Sequence, residues 1–403
     1  MLQLDAVQTV ALGGLVLLLG YALCRWIPFL GKYNLPEPVV GGLVVALASW
    51  WAYSQGSTLY TLDTSLQQPL MIAFFTTIGL NASLSLLRVS LKPVLVFLLL
   101  SVGFAFAQNL IGIAVAAMFD IHPLFGVLAG SATLTGGPAT GLAFAPMFEA
   151  AGLVGAESIA VTSAMAGIVL GGVIGGPVIT ALIKQKNVAT PGKGIAEVPL
   201  SDAAPDPQRV HVESDGDREF NALKAIILLL LVMWGGSFVS QGFTSLGLTL
   251  PAYIGAMLVG AALRNLDDLT GWFKLSIHTL EMIGNVCLAL FLAVALMNLK
   301  LWELAGMGGP LLVNLVLQMA AVAAFAWVIF GAMGRDYDAA VMGGGFIGFM
   351  LGTTANAMAV MRKLAARYGL APRAFLVAPL VGAFFIDFAN ALIITGFVNF
   401  WPY

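Results

Sequence analysis

GVLAGSATLTGGPATGLAF, residues 126–144, and GGGFIGFMLGTTANAMAVM, residues 343–361, decide how this chain is read. Glycine, alanine and hydroxyl residues crowd both stretches, inside a sequence that is otherwise strongly apolar. Gly136, Gly137 and Pro138 interrupt any continuous helix in the first. Gly352, Thr353, Thr354 and Asn356 occupy the corresponding zone of the second. Irregular backbone at membrane depth survives only where it is buried in protein or lines an aqueous cavity. A broken helix offers a ligand two opposite poles. The N-termini of its half-helices attract carboxylates, and unwound carbonyls with Ser, Thr and Asn oxygens coordinate small cations. Two such breaks in matching positions of two halves point to a transport site. Close helix packing is the competing use of small residues. GVIGGPVITAL, residues 172–182, is read that way, whereas threonine and asparagine clustered at the two breaks favour a site.

The rest of the composition agrees. Of 403 residues, 60% are apolar and 9% charged, and 13 of the charged ones fall within residues 184–224. What remains is far below the roughly 25% charge of a soluble domain. Such a chain cannot cover itself with polar surface, so it is a polytopic membrane protein. A net charge of −2 excludes a nucleic-acid binder, which would carry a basic field. The two cysteines, Cys24 and Cys287, sit in apolar runs and support neither a disulfide framework nor a thiolate metal site. The start, MLQLDAVQ, has no basic residue ahead of its first apolar run and does not read as a cleavable signal.

A hydrocarbon core about 30 Å thick needs roughly 20 apolar residues per helix. On that ruler the predicted spans are 8–29, 38–55, 69–87, 93–118 and 158–183, then 223–242, 250–266, 281–299, 307–332 and 375–398. The two glycine-rich stretches, near 122–148 and 337–362, do not fit as single crossings. With the N-terminus outside, basic residues test the order of crossings. Arg25, Lys32, Arg88, Lys92, the six basic residues of 184–224 and seven of the remaining eight fall inside; only Lys300 falls outside. This holds only if each glycine-rich stretch enters and leaves on one side, as a re-entrant hairpin, or otherwise crosses an even number of times. Five spans per half then make the second half an inverted copy of the first. LPEPVVGGLVVAL (35–47) echoes LPAYIGAMLVGAAL (250–263), and at the same offset Gly137 meets Gly352. The expected organisation is all-α: about ten transmembrane helices in two inverted five-helix repeats, 1–183 and 225–403. Each repeat carries a re-entrant glycine-rich hairpin. Between them, 184–224 reads as a solvated cytoplasmic linker, because proline, glycine and mixed charge there lack apolar periodicity. His211 lies in it as a solvated residue. Trp26, Trp50, Trp51, Trp272, Trp302 and Trp401 fall near span ends as interfacial anchors.

Ionisable residues inside spans are functional candidates by default. Asp387, in VGAFFIDFANALII, is the deepest, with Asn390 about one turn away. The alternative for Asp387 is a protonated carboxyl bonded to a neighbouring helix. Asn81, ending the third span in FFTTIGLNA, has two readings, a helix cap and a site ligand. Glu37 and Glu281 lie near span ends, within reach of interfacial water. His122 and His278 have no metal-ligand companion. An intramembrane metalloprotease would need HExxH, which is absent. An aspartyl enzyme would need a facing pair, and Asp338 sits beside Arg335 and Asp336 at a polar edge. No P-loop is present. A channel could also build a filter from hairpins, but saturable, counter-flow-competent uptake would exclude one.

The segments YNLPEPVVGGLVVAL, PLMIAFFTTIGLNA, GSATLTGGPATGLAF, GIVLGGVIGGPV, GNVCLALFLAVALMNLKLWEL, YDAAV, GFMLGTTANAMAVM and VGAFFIDFANALI, in this order, resemble the bacterial sodium/glutamate symporter family across essentially the whole chain. The resemblance implies a multi-pass protein of the bacterial inner membrane, with periplasmic termini and a cytoplasmic central loop. It also implies a homodimer that imports L-glutamate with Na+ as coupling ion, without a cofactor. Where the family typically reads GGHGTGAAW, this chain has Gly136, Gly137, Pro138, Ala139, Thr140, Gly141, Leu142, Ala143 and Phe144. In the second stretch a usual Pro-Thr pair reads Ala355-Asn356. Gly136, Gly137, Thr140, Gly352, Thr354 and Asp387 keep the pattern.

Joined to the breaks, the resemblance gives an expected site. Thr135, Gly136, Gly137, Thr140, Gly352, Thr353, Thr354 and Asn356 would hold an acidic substrate. Ser131, Thr133, Asn81, Asp387 and Asn390 would hold the cation. The expected activity is sodium-coupled symport of L-glutamate or a closely related acidic amino acid or dicarboxylate by alternating access. A proton- or sodium-coupled carrier for another organic anion is the alternative.

Overall fold

In the computed structural model the residues described are 2–32, 35–85, 91–192, 215–245, 247, 250–273 and 276–401. Most of the expected linker, 193–214, lies outside them, with His211. The first half contains helices α1 (Ala6–Trp26), α2 (Pro28–Lys32), α3 (Glu37–Ser54), α4 (Gln67–Leu80), α5 (Leu91–Met118), α6 (Leu124–Val127), α7 (Gly137–Ala150) and α8 (Ala156–Gln185). The second half contains α9 (Asp215–Ser245), α10 (Ala252–Thr270), α11 (Ile277–Met297), α12 (Gly308–Ala332), α13 (Tyr337–Met350), α14 (Thr354–Tyr368), α15 (Pro372–Leu380) and α16 (Ile386–Phe400). One departure from all-helix is a short parallel pairing of strands β1 (Leu2–Leu4) and β2 (Tyr60–Leu62). Among the described residues, six helices are long and apolar enough to cross a membrane: α1, α5, α8, residues 219–245 of α9, α11 and α12.

Two expected spans come out differently. The third stops at Leu80 rather than continuing to residue 87, because Asn81 caps α4 and the polar run Asn81–Ala82–Ser83 follows. The last is a compound rod, in which α15 passes through a π-helical turn at Val381–Phe385 into α16. A π turn widens the helix and frees carbonyls from the regular ladder, and such turns concentrate at functional sites. A second π turn, Leu128–Ala132, follows α6 and holds Gly130 at a non-helical φ −97°, ψ −125°.

The helices sort into two bundles. One comprises α1, α3, α4, α9, α10 and α11. The other comprises α5, α8, α12 and the α15–α16 rod around two helical hairpins, α6–α7 and α13–α14. Each half of the chain thus gives its early helices to one bundle and its later ones to the other. Close approaches recur between halves. Gly20 meets Gly41 where α1 crosses α3, and Gly236 meets Ala256 where α9 crosses α10. Gly42 lies against Leu296, and Met257 against Gly79, positions 215 and 217 apart. Side chains larger than these would force the backbones apart, so small residues set the crossings.

The ends of the bundles follow from contacts. Tyr53, ending α3, stacks on Trp302 with ring centroids 4.1 Å apart. Ser158, starting α8, donates to the Lys300 carbonyl at 3.0 Å. The ends of α3 and α11 and the start of α8 therefore share one face, called here the Lys300 end. The start of α3, the start of α11 and the end of α8 lie at the other, the linker end. The arms of α13–α14 are 14 and 15 residues long, about 21 Å each at 1.5 Å per residue. Each arm is shorter than a hydrocarbon core of about 30 Å, as is the 14-residue α4.

Candidate transport site

The two hairpin turns meet. Gly137 has φ +69°, a left-handed conformation that L side chains rarely adopt. A Cβ there would lie 3.3 Å from Thr353 Cγ2 and 3.6 Å from the Gly352 carbonyl. Thr135 Oγ1 lies 3.3 Å from Met350 Sδ. Residues 135 and 350, like 137 and 352, are counterparts in the two halves, so equivalent positions touch each other.

Beyond each turn a helix begins. Gly136 precedes α7 and Pro138 sits in its first turn, where proline's missing N–H costs no helical bond. Thr353 caps α14, its Oγ1 accepting from Asn356 N at 3.4 Å. Both helices start at one cavity of about 540 Å³ between the bundles. Thr135, Gly136, Pro138, Ala139 and Thr140 line it from the first hairpin, and Gly352, Thr353, Thr354 and Ala355 from the second. Two helix N-termini with free N–H groups form an anion-seeking floor. Thr354 Oγ1 donates to the Gly382 carbonyl at 2.8 Å, which docks the second turn onto the π segment of the α15–α16 rod. Asp387, two residues past that segment, lines the same cavity. No hydrogen bond or ion pair from a described residue reaches its carboxylate. Across the cavity stand Phe74, Phe75 and Ile78 of α4 and Glu281, Asn285, Leu288 and Leu292 of α11.

The cavity extends to Pro36 and the exposed Glu281, both at the linker end. Toward the Lys300 end aromatic rings close it. Phe75 stacks on Tyr253 at 3.9 Å, and Tyr253 meets Phe144 edge-on at 6.1 Å.

Behind the first turn lies a buried polar cluster. Asn390 Nδ2 donates to the Ser131 carbonyl at 2.9 Å, while Asn390 Oδ1 and Ser131 Oγ have no partner among the described residues. Thr133 Oγ1 donates to the Leu128 carbonyl at 2.7 Å and lies 3.0 Å from Ser163 Oγ. All four residues are buried. Asn390 therefore turns toward the first hairpin while Asp387 turns into the cavity, and the two do not present one shared face. Asn356 is also buried, donating to the Ile168 and Gly348 carbonyls at 3.1 and 3.3 Å, and does not line the cavity. Asn81 caps α4 and stands apart from the cavity lining.

Sequence reading passed over four amides that hold the hairpins. Gln108 accepts from Thr135 Oγ1 at 2.6 Å and donates to the Met350 carbonyl at 2.8 Å, bridging both turns. Gln318 donates to the Gln108 carbonyl at 2.7 Å, Asn314 to the Ala129 carbonyl at 2.7 Å, and Asn109 Oδ1 accepts from Ser131 N at 2.9 Å. The signal was present, since amides deep in apolar spans are functional candidates too. Glu281, read from the sequence as a span-end residue within reach of interfacial water, lines the cavity, and Asn285, one turn further along α11, was not singled out. Asp338 accepts from Ala374 N at 3.0 Å, at the start of α15 near the Arg373–Asp336 ion pair, so it serves a helix start rather than a facing aspartyl pair.

A cleft between two membrane bundles, floored by two broken helices and open toward one end, defines a solute carrier. A sequence model of the sodium/glutamate symporter family matches residues 2–370. The sodium/glutamate symporter of Escherichia coli (strain K12) is 41% identical over 396 residues, covering 98% of this chain and 97% of that protein. That of Haemophilus influenzae is 40% identical over 392 residues, covering 96% and 95%. The chain belongs to the sodium/glutamate symporter family, a family of transporters rather than enzymes.

Proposed function

We propose that this protein is a secondary active transporter that carries L-glutamate into the cell together with sodium by alternating access. The observation that carries this reading is the cavity itself: two opposed helix N-termini at its floor and an unpartnered carboxylate, Asp387, at its wall. Substrate carboxylates would lie at the N-termini of α7 and α14, against backbone N–H groups and Thr135, Thr140, Thr353 and Thr354. Gly136, Gly137 and Gly352 let the backbone come close enough, and Asn356 braces the second turn from behind. Asp387 supplies charge for a cation in the cavity. Ser131, Thr133 and Asn390 offer a second set of oxygens, with Ser131 Oγ and Asn390 Oδ1 uncommitted. Asn81 at the α4 cap is the most remote member of the proposed cation set. Coupling follows from electrostatics, because carboxylates entering a low-dielectric site are costly and a bound cation offsets that cost.

The proposed topology is ten spans in two inverted repeats, with α6–α7 re-entrant from outside and α13–α14 from inside, and both termini periplasmic in the inner membrane. The recurring contacts at offsets near 215 and the counterparts meeting at Gly137 and Gly352 support it. On this reading the linker end is cytoplasmic, the cavity is inward-open, and the Phe75–Tyr253–Phe144 stack is the closed outer gate. Movement of one bundle against the other would exchange the two states. A homodimer is expected from the family. The test is radioligand binding of L-glutamate to purified protein in sodium or choline chloride. Binding should require sodium; equal binding in choline would overturn the coupling.

A further inference from the structure

A second cavity, of about 490 Å³, opens between α8 and α14, away from the transport site. The two helices run side by side toward the linker end. Gly171 lies against Asn356 and Gly175 against Val360, so their backbones are close there. Beyond that contact they part, and a Cβ on Gly176 would meet nothing within 4 Å. Lys184 stands on one rim of the resulting wedge, Lys363 and Arg367 on the other, with Thr180, Pro177 and Leu364 between. Lys184, Lys363 and Arg367 are exposed, and no ion pair among the described residues occupies them. Among the described residues no carboxylate lines the cavity. Lysine and arginine in a last helical turn also answer the helix's own terminal carbonyls. That accounts for Lys184 and Arg367 singly, but not for three cations converging on one wedge.

The neighbouring surface indicates what fills it. Val173, Pro177 and Ala181 are exposed at four-residue spacing on α8 and lead to Lys184. An apolar stripe running along a membrane helix into a cluster of cations matches one kind of molecule, with acyl chains below a negatively charged phosphate. Basic pockets between membrane helices on the cytoplasmic side take anionic lipid head groups in this way. We propose that the α8–α14 wedge is a binding site for an anionic phospholipid, its phosphate held by Lys184, Lys363 and Arg367 and one acyl chain lying on the Val173–Pro177–Ala181 stripe. The lipid would tie the second arm of the α13–α14 hairpin to α8.

The full chain, purified in detergent, is given dioleoyl-phosphatidylglycerol, dioleoyl-phosphatidylcholine or inorganic phosphate alone, and lipid retention is read by native mass spectrometry. Wild type should retain phosphatidylglycerol, not phosphatidylcholine, and phosphate alone should not raise the melting temperature. Lys184→Gln/Lys363→Gln/Arg367→Gln should bind phosphatidylglycerol about a hundredfold more weakly, at roughly fivefold for each basic residue near a lipid surface. The charge-preserving Lys184→Arg/Lys363→Arg/Arg367→Lys should restore it, which excludes a folding defect as the cause. Arg362→Gln/Lys186→Gln, neutralising two other exposed cations at the same end, should leave retention unchanged. Equal retention by wild type and the neutral triple variant, or equal loss in the Arg362/Lys186 variant, would overturn the proposal. Stabilisation by phosphate alone would overturn the lipid as occupant. The readout is independent of glutamate uptake, so it stands or falls separately from the transport reading.

Discussion

Asp387→Asn keeps the shape of the side chain and removes its charge. The carboxylate lines the cavity beside the π segment, with no cation among the described residues to balance it. The nearest basic residue preceding it in sequence, Arg373, is engaged with Asp336 at 2.8 Å. Two unit charges about 4 Å apart interact by about 4 kcal/mol at an effective dielectric of about 20. The asparagine oxygen returns part of this as an ion–dipole contact. A net loss of at least about 1.4 kcal/mol follows, a tenfold weaker cation site. The assay is initial-rate uptake of labelled glutamate into proteoliposomes, with sodium varied at fixed ionic strength. The sodium concentration for half-maximal uptake should rise at least tenfold, while the apparent glutamate affinity at saturating sodium shifts far less. An unchanged sodium dependence with only lower protein stability would refute the reasoning. Asp387 would then be a structural group, and the cation would have to bind at the Ser131–Thr133–Asn390 cluster alone.

Other outcomes are expected from the same geometry. Gly137→Ala places a Cβ 3.3 Å from Thr353 at φ +69°, costing about 1–2 kcal/mol, and should lower both melting temperature and uptake. Cysteines at Ala139 and Ala355, both lining the cavity, should react with a small polar thiol reagent on a Cys24→Ser/Cys287→Ser background, and glutamate with sodium should protect them. Cysteines at Ala132 and Ile347, which are fully buried, should stay inert. Pro138→His adds an imidazole to the cavity lining and should change the ranking among glutamate, aspartate and dicarboxylates without impairing insertion, as competition assays would register. Deleting residues 193–207 should leave uptake kinetics near wild type, because the cut begins after Pro191 and Gly192, which touch Gly369.

Helix positions were legible in the sequence because apolar length and polar breaks report directly on a 30 Å slab. The two breaks were legible for the same reason, since glycine and proline there cannot continue a helix. Burial was less legible. Thr135 and Asn356 look alike in sequence, yet one lines the cavity and the other braces a turn, because tertiary packing decides which face is open. Asp387 and Asn390 are three residues apart and were expected to act together. Both lie on the regular α16, where three residues leave side chains about 60° apart, and the packing of the rod points one into the cavity and the other at the first hairpin. Gln108 and Gln318 were passed over although amides within apolar helices are costly unless partnered. Gln108 finds its partners at the two hairpin turns, Thr135 Oγ1 and the Met350 carbonyl, and Gln318 finds the Gln108 carbonyl, contacts that only the tertiary fold brings together.

The most direct test of the central claim is counter-flow. Proteoliposomes loaded with unlabelled L-glutamate and diluted into trace labelled glutamate should accumulate label transiently when sodium is present on both sides. In choline they should not. Accumulation independent of sodium, or none with glutamate while another organic anion supports it, would contradict sodium–glutamate symport by this chain.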